Sequence, residues 1–144
     1  MRGILPVAVA IAVGLVGSAA ARQAGHPAEP HQHAEAARLQ NPVKADAASI
    51  EAGKKLYTDN CADCHGETGK GDGPAAPYAG DPPPSNLADA EWKHGSTDGE
   101  IYTVIHDGVD GTGMKDFGKD LKPTDIWQLV NYLRTLAPKP AKNH

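Results

Sequence analysis

Only two of the 144 residues are cysteine, one is phenylalanine, and no basic excess exists. Two thiols are too few for a zinc site built from two cysteine pairs, which is the usual all-cysteine arrangement. The 14 Lys and Arg residues are outnumbered by 18 Asp and Glu residues, so the formal net charge is −4. Because no basic stripe runs along the sequence, nucleic acid is not expected as a partner.

Long apolar runs are also scarce, and the clearest is ILPVAVAIAVGLV at residues 4–16. Arg2 precedes this run, and the small residues 17–21 follow it. This three-part layout is typical of a secretory signal peptide, so we predict that residues 1–21 are a signal peptide and that the mature protein is periplasmic. The alternative is an uncleaved membrane anchor, although the run is short for a bilayer span. A lipid anchor is not expected, because no cysteine follows the run.

Residues 22–44 are rich in Ala, Pro, Glu, Gln and His and contain little that could be buried. Such a composition does not offset the entropy cost of ordering a chain, so a flexible linker is predicted. His26, His31 and His33 could bind a metal there. The favoured interpretation is a solvated, His-rich linker, because no cysteine or fixed scaffold completes a site.

The remaining sequence predicts one small domain at residues 45–138, followed by a tail at 139–144. A domain of this size buries a modest share of its surface, and this one has a single Phe. A large apolar cofactor would supply the missing core.

Both cysteines fall within the pentapeptide CADCH, as Cys61 and Cys64, and His65 follows directly. A C-x-x-C pair serves in zinc sites, in thiol–disulfide redox pairs, or in C-x-x-C-H attachment of haem. Zinc lacks a second ligand pair, and the redox motif lacks the strand that normally precedes it. Covalent haem is therefore favoured, with both thiols as thioethers and His65 as the proximal iron ligand.

Met114 is the only methionine besides the initiator, and it lies in the glycine-rich stretch GTGMKDF. A methionine opposite a proximal histidine makes an electron-transfer haem, and glycines let a backbone approach closely. Met114 is predicted to be the second axial ligand rather than core filler. His94 and His106 are rivals, although both have charged or small neighbours.

Three helices are predicted around this motif. The first covers residues 47–59, where Gly53 suggests that another helix approaches closely. The second follows the capping box at residues 97–100 and ends at Gly108. The third begins at Pro123 and ends before Pro138. Residues 66–90 are predicted to be loop, with a proline carbonyl from residues 82–84 accepting a hydrogen bond from the His65 Nδ1–H group.

Several segments together resemble class I cytochrome c, in particular the small bacterial single-haem domains. The segments are Gly53, Tyr57, CADCHG, GKGDGPAA, HGSTDGEIYTVIHDGV, TGM and IWQLVNYLRTL. The resemblance covers residues 46–137. It implies an all-α cytochrome c fold, with three to five short helices and Gly/Pro-rich loops around one covalent haem c and its iron. It also implies Cys61 and Cys64 as attachment points and His65 and Met114 as axial ligands. One departure is Lys115, where the family often has proline.

These observations predict a periplasmic electron-transfer protein, not an enzyme and without catalytic residues, whose iron cycles between Fe(II) and Fe(III). Its expected partners are a redox donor protein and a redox acceptor protein. Two alternatives remain: a gas sensor or peroxide-reactive enzyme with a labile methionine, and an electron-transfer subunit of a larger dehydrogenase or oxidase complex. A membrane tether is expected only if the signal segment is uncleaved. Four lysines either steer a partner or merely solubilise the surface: Lys70, Lys93, Lys115 and Lys119.

Overall fold

The computed structural model describes residues 27–89 and 91–137, and this part of the chain is helical without strands. The four α-helices are α1 (Ala47–Asn60), α2 (Ala62–His65), α3 (Asp98–Asp107) and α4 (Pro123–Leu136). Three short 3-10 helices lie at Ala36–Arg38, Ala76–Tyr78 and Phe117–Lys119. The all-α prediction is confirmed. The predicted signal peptide, His26, the stop at Pro138 and the tail at 139–144 lie outside the described residues.

Helices α1 and α4 cross at Gly53, and this crossing organises the core. A Cβ atom at Gly53 would lie 2.0 Å from the backbone oxygen of Gln128 and 3.0 Å from Cβ of Tyr132. The close helix approach predicted from Gly53 is therefore present, with Tyr132 as one of its partners. Beside the crossing, Tyr57 is almost fully buried and its hydroxyl donates to the Gly66 carbonyl at 2.7 Å. Helix α1 is thereby tied to the segment that follows α2.

Helix α4 presents a continuous apolar stripe to the interior. Pro123 occupies its first turn, as predicted, because a missing N–H group costs nothing at that position. Four stripe residues are at most 4% exposed: Ile126, Leu129, Val130 and Leu133. No helix in the described residues is long and apolar enough to cross a membrane.

Helix α3 begins with the predicted capping box. The Thr97 side chain accepts from the Glu100 backbone N–H group, and the Glu100 carboxylate accepts from Thr97. The helix ends at Gly108, whose φ of 72° favours glycine. Ile101 and Ile105 are buried on its inner face.

Glu100 is buried, yet it remains a carboxylate because it accepts several hydrogen bonds. Burial pushes its pKa up, but bonds from Thr97, His33 and Ser96 outweigh this and hold the pKa below the ordinary value of 4.5. A carboxylate with a lowered folded-state pKa stabilises the fold above the unfolded-state pKa. That contribution is lost as the pH falls through the folded-state pKa.

We expect Glu100→Gln to destabilise the protein by about 1–3 kcal/mol at pH 7, because hydrogen bonds to a buried charge are lost. The difference from the wild type should shrink as the pH falls below 4.5. Urea unfolding at pH 7 and at pH 4 measures both values. Glu51→Gln, at an exposed position of α1, is the matched control. Equal stabilities of Glu100→Gln and wild type at pH 7 would contradict this role.

Candidate haem site

A large apolar cavity lies between the helices, with about 1270 Å³ of space counted out to its solvent opening. Its apolar wall comes from α1, α3, α4 and the loops, and includes Tyr57, Leu87, Ile101, Phe117, Leu129 and Leu133. All four predicted site residues also line it: Cys61, Cys64, His65 and Met114.

The two cysteines reach the cavity because the chain turns helically through CADCH. Cys61 ends α1, and the single turn of α2 follows, with the His65 N–H group donating to the Cys61 carbonyl at 2.8 Å. Cys61 and Cys64 do not form a disulfide with each other. Gly73 lets the loop cross this turn closely, since a Cβ atom there would lie 2.3 Å from the Asp63 carbonyl oxygen. The motif is held at the cavity by backbone contacts.

The surroundings of Cys61 disfavour its thiolate form. Burial raises its pKa to about 12, and the neighbouring Cys64 adds to the shift. Since the thiolate is the form that binds metals and attacks disulfides, this thiol is in its less reactive form at neutral pH. Among residues 27–89 and 91–137, no group of three His, Cys, Asp or Glu side chains could hold a metal ion.

His65 is oriented by a carbonyl of the loop that follows the prolines. Its Nδ1 atom lies 3.0 Å from the Ser85 carbonyl oxygen, so the prediction of a carbonyl from residues 82–84 was wrong by one residue. The local packing explains the position: the Leu87 N–H group donates to the Gly69 carbonyl at 2.5 Å, which draws the end of the loop against the segment after α2. The sequence indicated the correct loop but not the residue, because the bond joins residues 20 positions apart and depends on how the loop packs.

The same bond decides which nitrogen of His65 is available to a ligand. Burial lowers the pKa of His65, and the bond to Ser85 only opposes this shift, so the ring is neutral at pH 7. A carbonyl can only accept, so Nδ1 carries the proton and Nε2 keeps its lone pair. This is the tautomer of a histidine that binds iron through Nε2.

Met114 is held in its loop by backbone hydrogen bonds, although no proline follows it. Its N–H group donates to the Thr112 hydroxyl at 3.1 Å, and its carbonyl accepts from Val109 at 2.9 Å. Gly113 donates to the Ala79 carbonyl at 2.8 Å, and a Cβ atom there would lie 2.6 Å from the same oxygen. Glycine is needed at position 113 because the loop passes close to the Ala79 backbone.

The rival histidines take different positions. His94 lines the cavity. His106 is absent from its lining; its Nδ1 atom lies 2.6 Å from the Asp107 carboxylate, and its ring stacks on Tyr102.

Trp92 is a cavity residue that sequence reasoning missed, and Arg134 lies behind it. Trp92 lines the cavity, and its Nε1 atom is buried without a partner in the described residues. The Arg134 guanidinium lies 5.6 Å from the Trp92 ring centroid and is held by Asp98 and the Ser96 carbonyl, while its Nη1 atom is buried and unpartnered there. An apolar cavity whose lining includes one unpartnered N–H donor, that of Trp92, fits haem, which is an apolar macrocycle bearing two carboxylates.

The Cytochrome c family matches residues 50–137 of the chain. The chain is similar to the Cbb3-type cytochrome c oxidase subunit FixP of Azorhizobium caulinodans, with 33% identity over 98 residues, 68% of this chain and 31% of the relative. It is similar to subunit CcoP of an Azospirillum species, with 34% identity over 65% of this chain and 32% of the relative. The chain therefore spans about a third of the length of these curated relatives.

Solved structures agree with this match. The Kuenenia stuttgartiensis reducing HAO-like protein complex contains a similar chain, with a TM-score of 0.62, 31% identity and coverage of 69% of this chain and 49% of that chain. Cytochrome cL from Hyphomicrobium denitrificans gives a TM-score of 0.53 and 25% identity over 67% of this chain and 51% of that chain.

Proposed function

We propose that the chain, which belongs to the cytochrome c family and so binds haem c covalently, is a single-haem periplasmic electron carrier with His65 and Met114 as axial ligands. One observation carries the proposal. A single apolar cavity is lined by Cys61, Cys64, His65 and Met114 together, although Met114 is 49 residues from His65 in the sequence.

Each residue has a defined role in this proposal. Cys61 and Cys64 hold the haem as thioethers. His65 offers its Nε2 lone pair while Ser85 fixes the ring, and Met114 offers a thioether sulfur from its hydrogen-bonded loop. The haem supplies a one-electron Fe(II)/Fe(III) couple. The chain's own part is to bind and orient it and to exclude water, and soft sulfur ligation with apolar burial raises the potential.

The periplasmic location rests on the predicted signal peptide at residues 1–21. Covalent haem attachment outside the cytoplasm is consistent with export. If the apolar run at residues 4–16 is not cleaved, the same domain is tethered to the membrane on its periplasmic side.

A second candidate function is an electron-transfer subunit of a larger complex. The observation that favours it is similarity to oxidase subunits of which this chain spans about a third.

The surface charge also points to a specific kind of partner. Residues 45–137 carry 16 acidic and eight basic residues, and Lys115 and Lys119 form ion pairs with Asp120 and Asp116. Of the two roles left open for the lysines, this favours solubilising the surface over steering a partner, and it favours an electropositive partner surface.

The proposed function is tested by the visible spectrum of the reduced full-length protein, produced in a host with a haem-attachment system. We expect a c-type spectrum that carbon monoxide does not change, because both axial positions are filled. Met114→Ala should bind carbon monoxide and have a lower potential, since a thioether ligand raises it.

Lys115→Ala, next to Met114 and exposed, is the matched control and should behave like the wild type. If the wild type binds carbon monoxide as readily as Met114→Ala, the methionine is not a firm ligand. The sensor or peroxide-reactive alternative then replaces the electron carrier.

A further inference from the structure

Residues 27–44, here called the N-terminal strap, pack against the start of α3. Ala36 in the strap is 7% exposed. Opposite it, a Cβ atom at Gly99 would lie 2.0 Å from the Ala36 carbonyl oxygen and 2.7 Å from Cβ of Leu39. The strap and α3 are therefore in direct backbone contact at Gly99, where the sequence predicted a flexible linker.

The end of the strap is fastened to α4 by two asparagines. The Asn41 amide donates to the Asn131 side-chain oxygen at 2.9 Å and to the Trp127 carbonyl at 3.3 Å. Asn131, which is 5% exposed, donates in turn to the Val43 carbonyl at 3.2 Å. A buried amide with several partners is costly to disrupt, so this contact fixes the strap on the helix.

The beginning of the strap reaches the cavity. The His31 N–H group donates to the Lys93 carbonyl at 2.9 Å, and its ring centroid lies 5.0 Å from that of His94. Ala28 lines the cavity itself, beside Trp92, Lys93 and His94. Between these points, His33 donates to Glu100 at 3.2 Å. The segment 92–94 is thus held between the strap and the cavity.

We propose that the N-terminal strap is a wall of the haem site that closes the cavity on the side of Trp92 and His94. This inference rests on the proposed haem site. The strap lies before residue 50, where the match to the Cytochrome c family begins, so it adds to the family domain rather than repeating it. With the strap in place, water has less access to the haem along segment 92–94, which favours the less charged Fe(II) state.

The test is Gly99→Ala in the full-length holoprotein. Alanine normally stabilises a helix relative to glycine. At position 99, however, its methyl group would clash with the strap backbone, and it cannot move away because its position is fixed by the helix. We expect the strap to leave α3, so that trypsin cleavage after Arg38 accelerates at least tenfold and the reduction potential falls. Cleavage is followed by mass spectrometry and the potential by redox titration.

Asn41→Ala provides a second variant that leaves α3 intact, and it should move both readouts in the same direction. Gln40→Ala, its exposed neighbour, is the matched control and should move neither. Unchanged cleavage in both test variants would show that the strap is not docked as described. Faster cleavage at an unchanged potential would show a docked strap that is no wall of the haem site. If the wild type carries no covalent haem, the proposed function fails, while the cleavage rates still report whether the strap is docked.

Discussion

Replacing both thiols, as Cys61→Ser with Cys64→Ser, should abolish covalent haem in the protein. A serine hydroxyl does not form the thioether, and no other cysteine exists in the chain. Each single variant keeps one thiol and should keep one thioether. Haem staining after denaturing electrophoresis and mass spectrometry of the intact chain distinguish the three products.

The loss of haem should also weaken the fold of the double variant. The cavity is walled by side chains from α1, α3 and α4, and the double variant loses the contacts that a bound haem would make with all three helices. A domain of about 90 residues buries a limited area and has little stability to spare. Far-ultraviolet circular dichroism should therefore show lower helicity or a lower melting temperature than in the wild type.

Asp63→Ser is the matched control, because it places a serine between the same two cysteines at an exposed position. It should attach haem like the wild type. A double cysteine variant that still carries covalent haem would remove Cys61 and Cys64 from the proposed site.

Features encoded by neighbouring residues were predictable from the sequence. The capping box of α3 needs only Thr97 and Glu100, three residues apart, and the start of α4 needs only Pro123. Met114 and CADCH line one cavity, which is where the predicted pair of axial ligands would have to lie. The two helix starts follow from short sequence motifs, and the choice of Met114 follows from the few residue types that can bind iron.

Features that depend on distant parts of the chain were missed. The orienting carbonyl of His65 belongs to Ser85 because of how the proline loop packs. The strap looked like a linker because its residues are small and polar, and its order comes from partners such as Asn131, about 90 positions away. Trp92 gave no periodic signal; its significance is a buried N–H group without a partner in the described residues. The composition of a segment predicts how much apolar surface it can bury by itself. It does not reveal the hydrogen-bond partners that other segments provide.

Gly53 is subject both to helix propensity within α1 and to the contact between α1 and α4. Replacing it with alanine should strongly destabilise the protein. Alanine raises intrinsic helix propensity by about 1 kcal/mol relative to glycine. At this position, however, its Cβ atom would lie 2.0 Å from the Gln128 backbone oxygen, so α1 and α4 must move apart. Overpacking a core typically costs about 1–3 kcal/mol, and occasionally more. A clash with helix backbone belongs at the upper end, because backbone cannot rotate away as a side chain can.

We therefore expect Gly53→Ala to lower the free energy of unfolding by about 2 kcal/mol or more after the gain in propensity. For a domain of this size, that corresponds to a melting temperature lower by roughly 8–16 °C. Thermal unfolding of the oxidised holoprotein measures the change. Lys54→Ala, at the adjacent exposed position, is the control and should stay within about 0.5 kcal/mol of the wild type. If Gly53→Ala is instead more stable by about 1 kcal/mol, propensity alone acts at this position. Helices α1 and α4 then do not cross at Gly53, and the wall that α4 gives to the haem cavity must be placed differently.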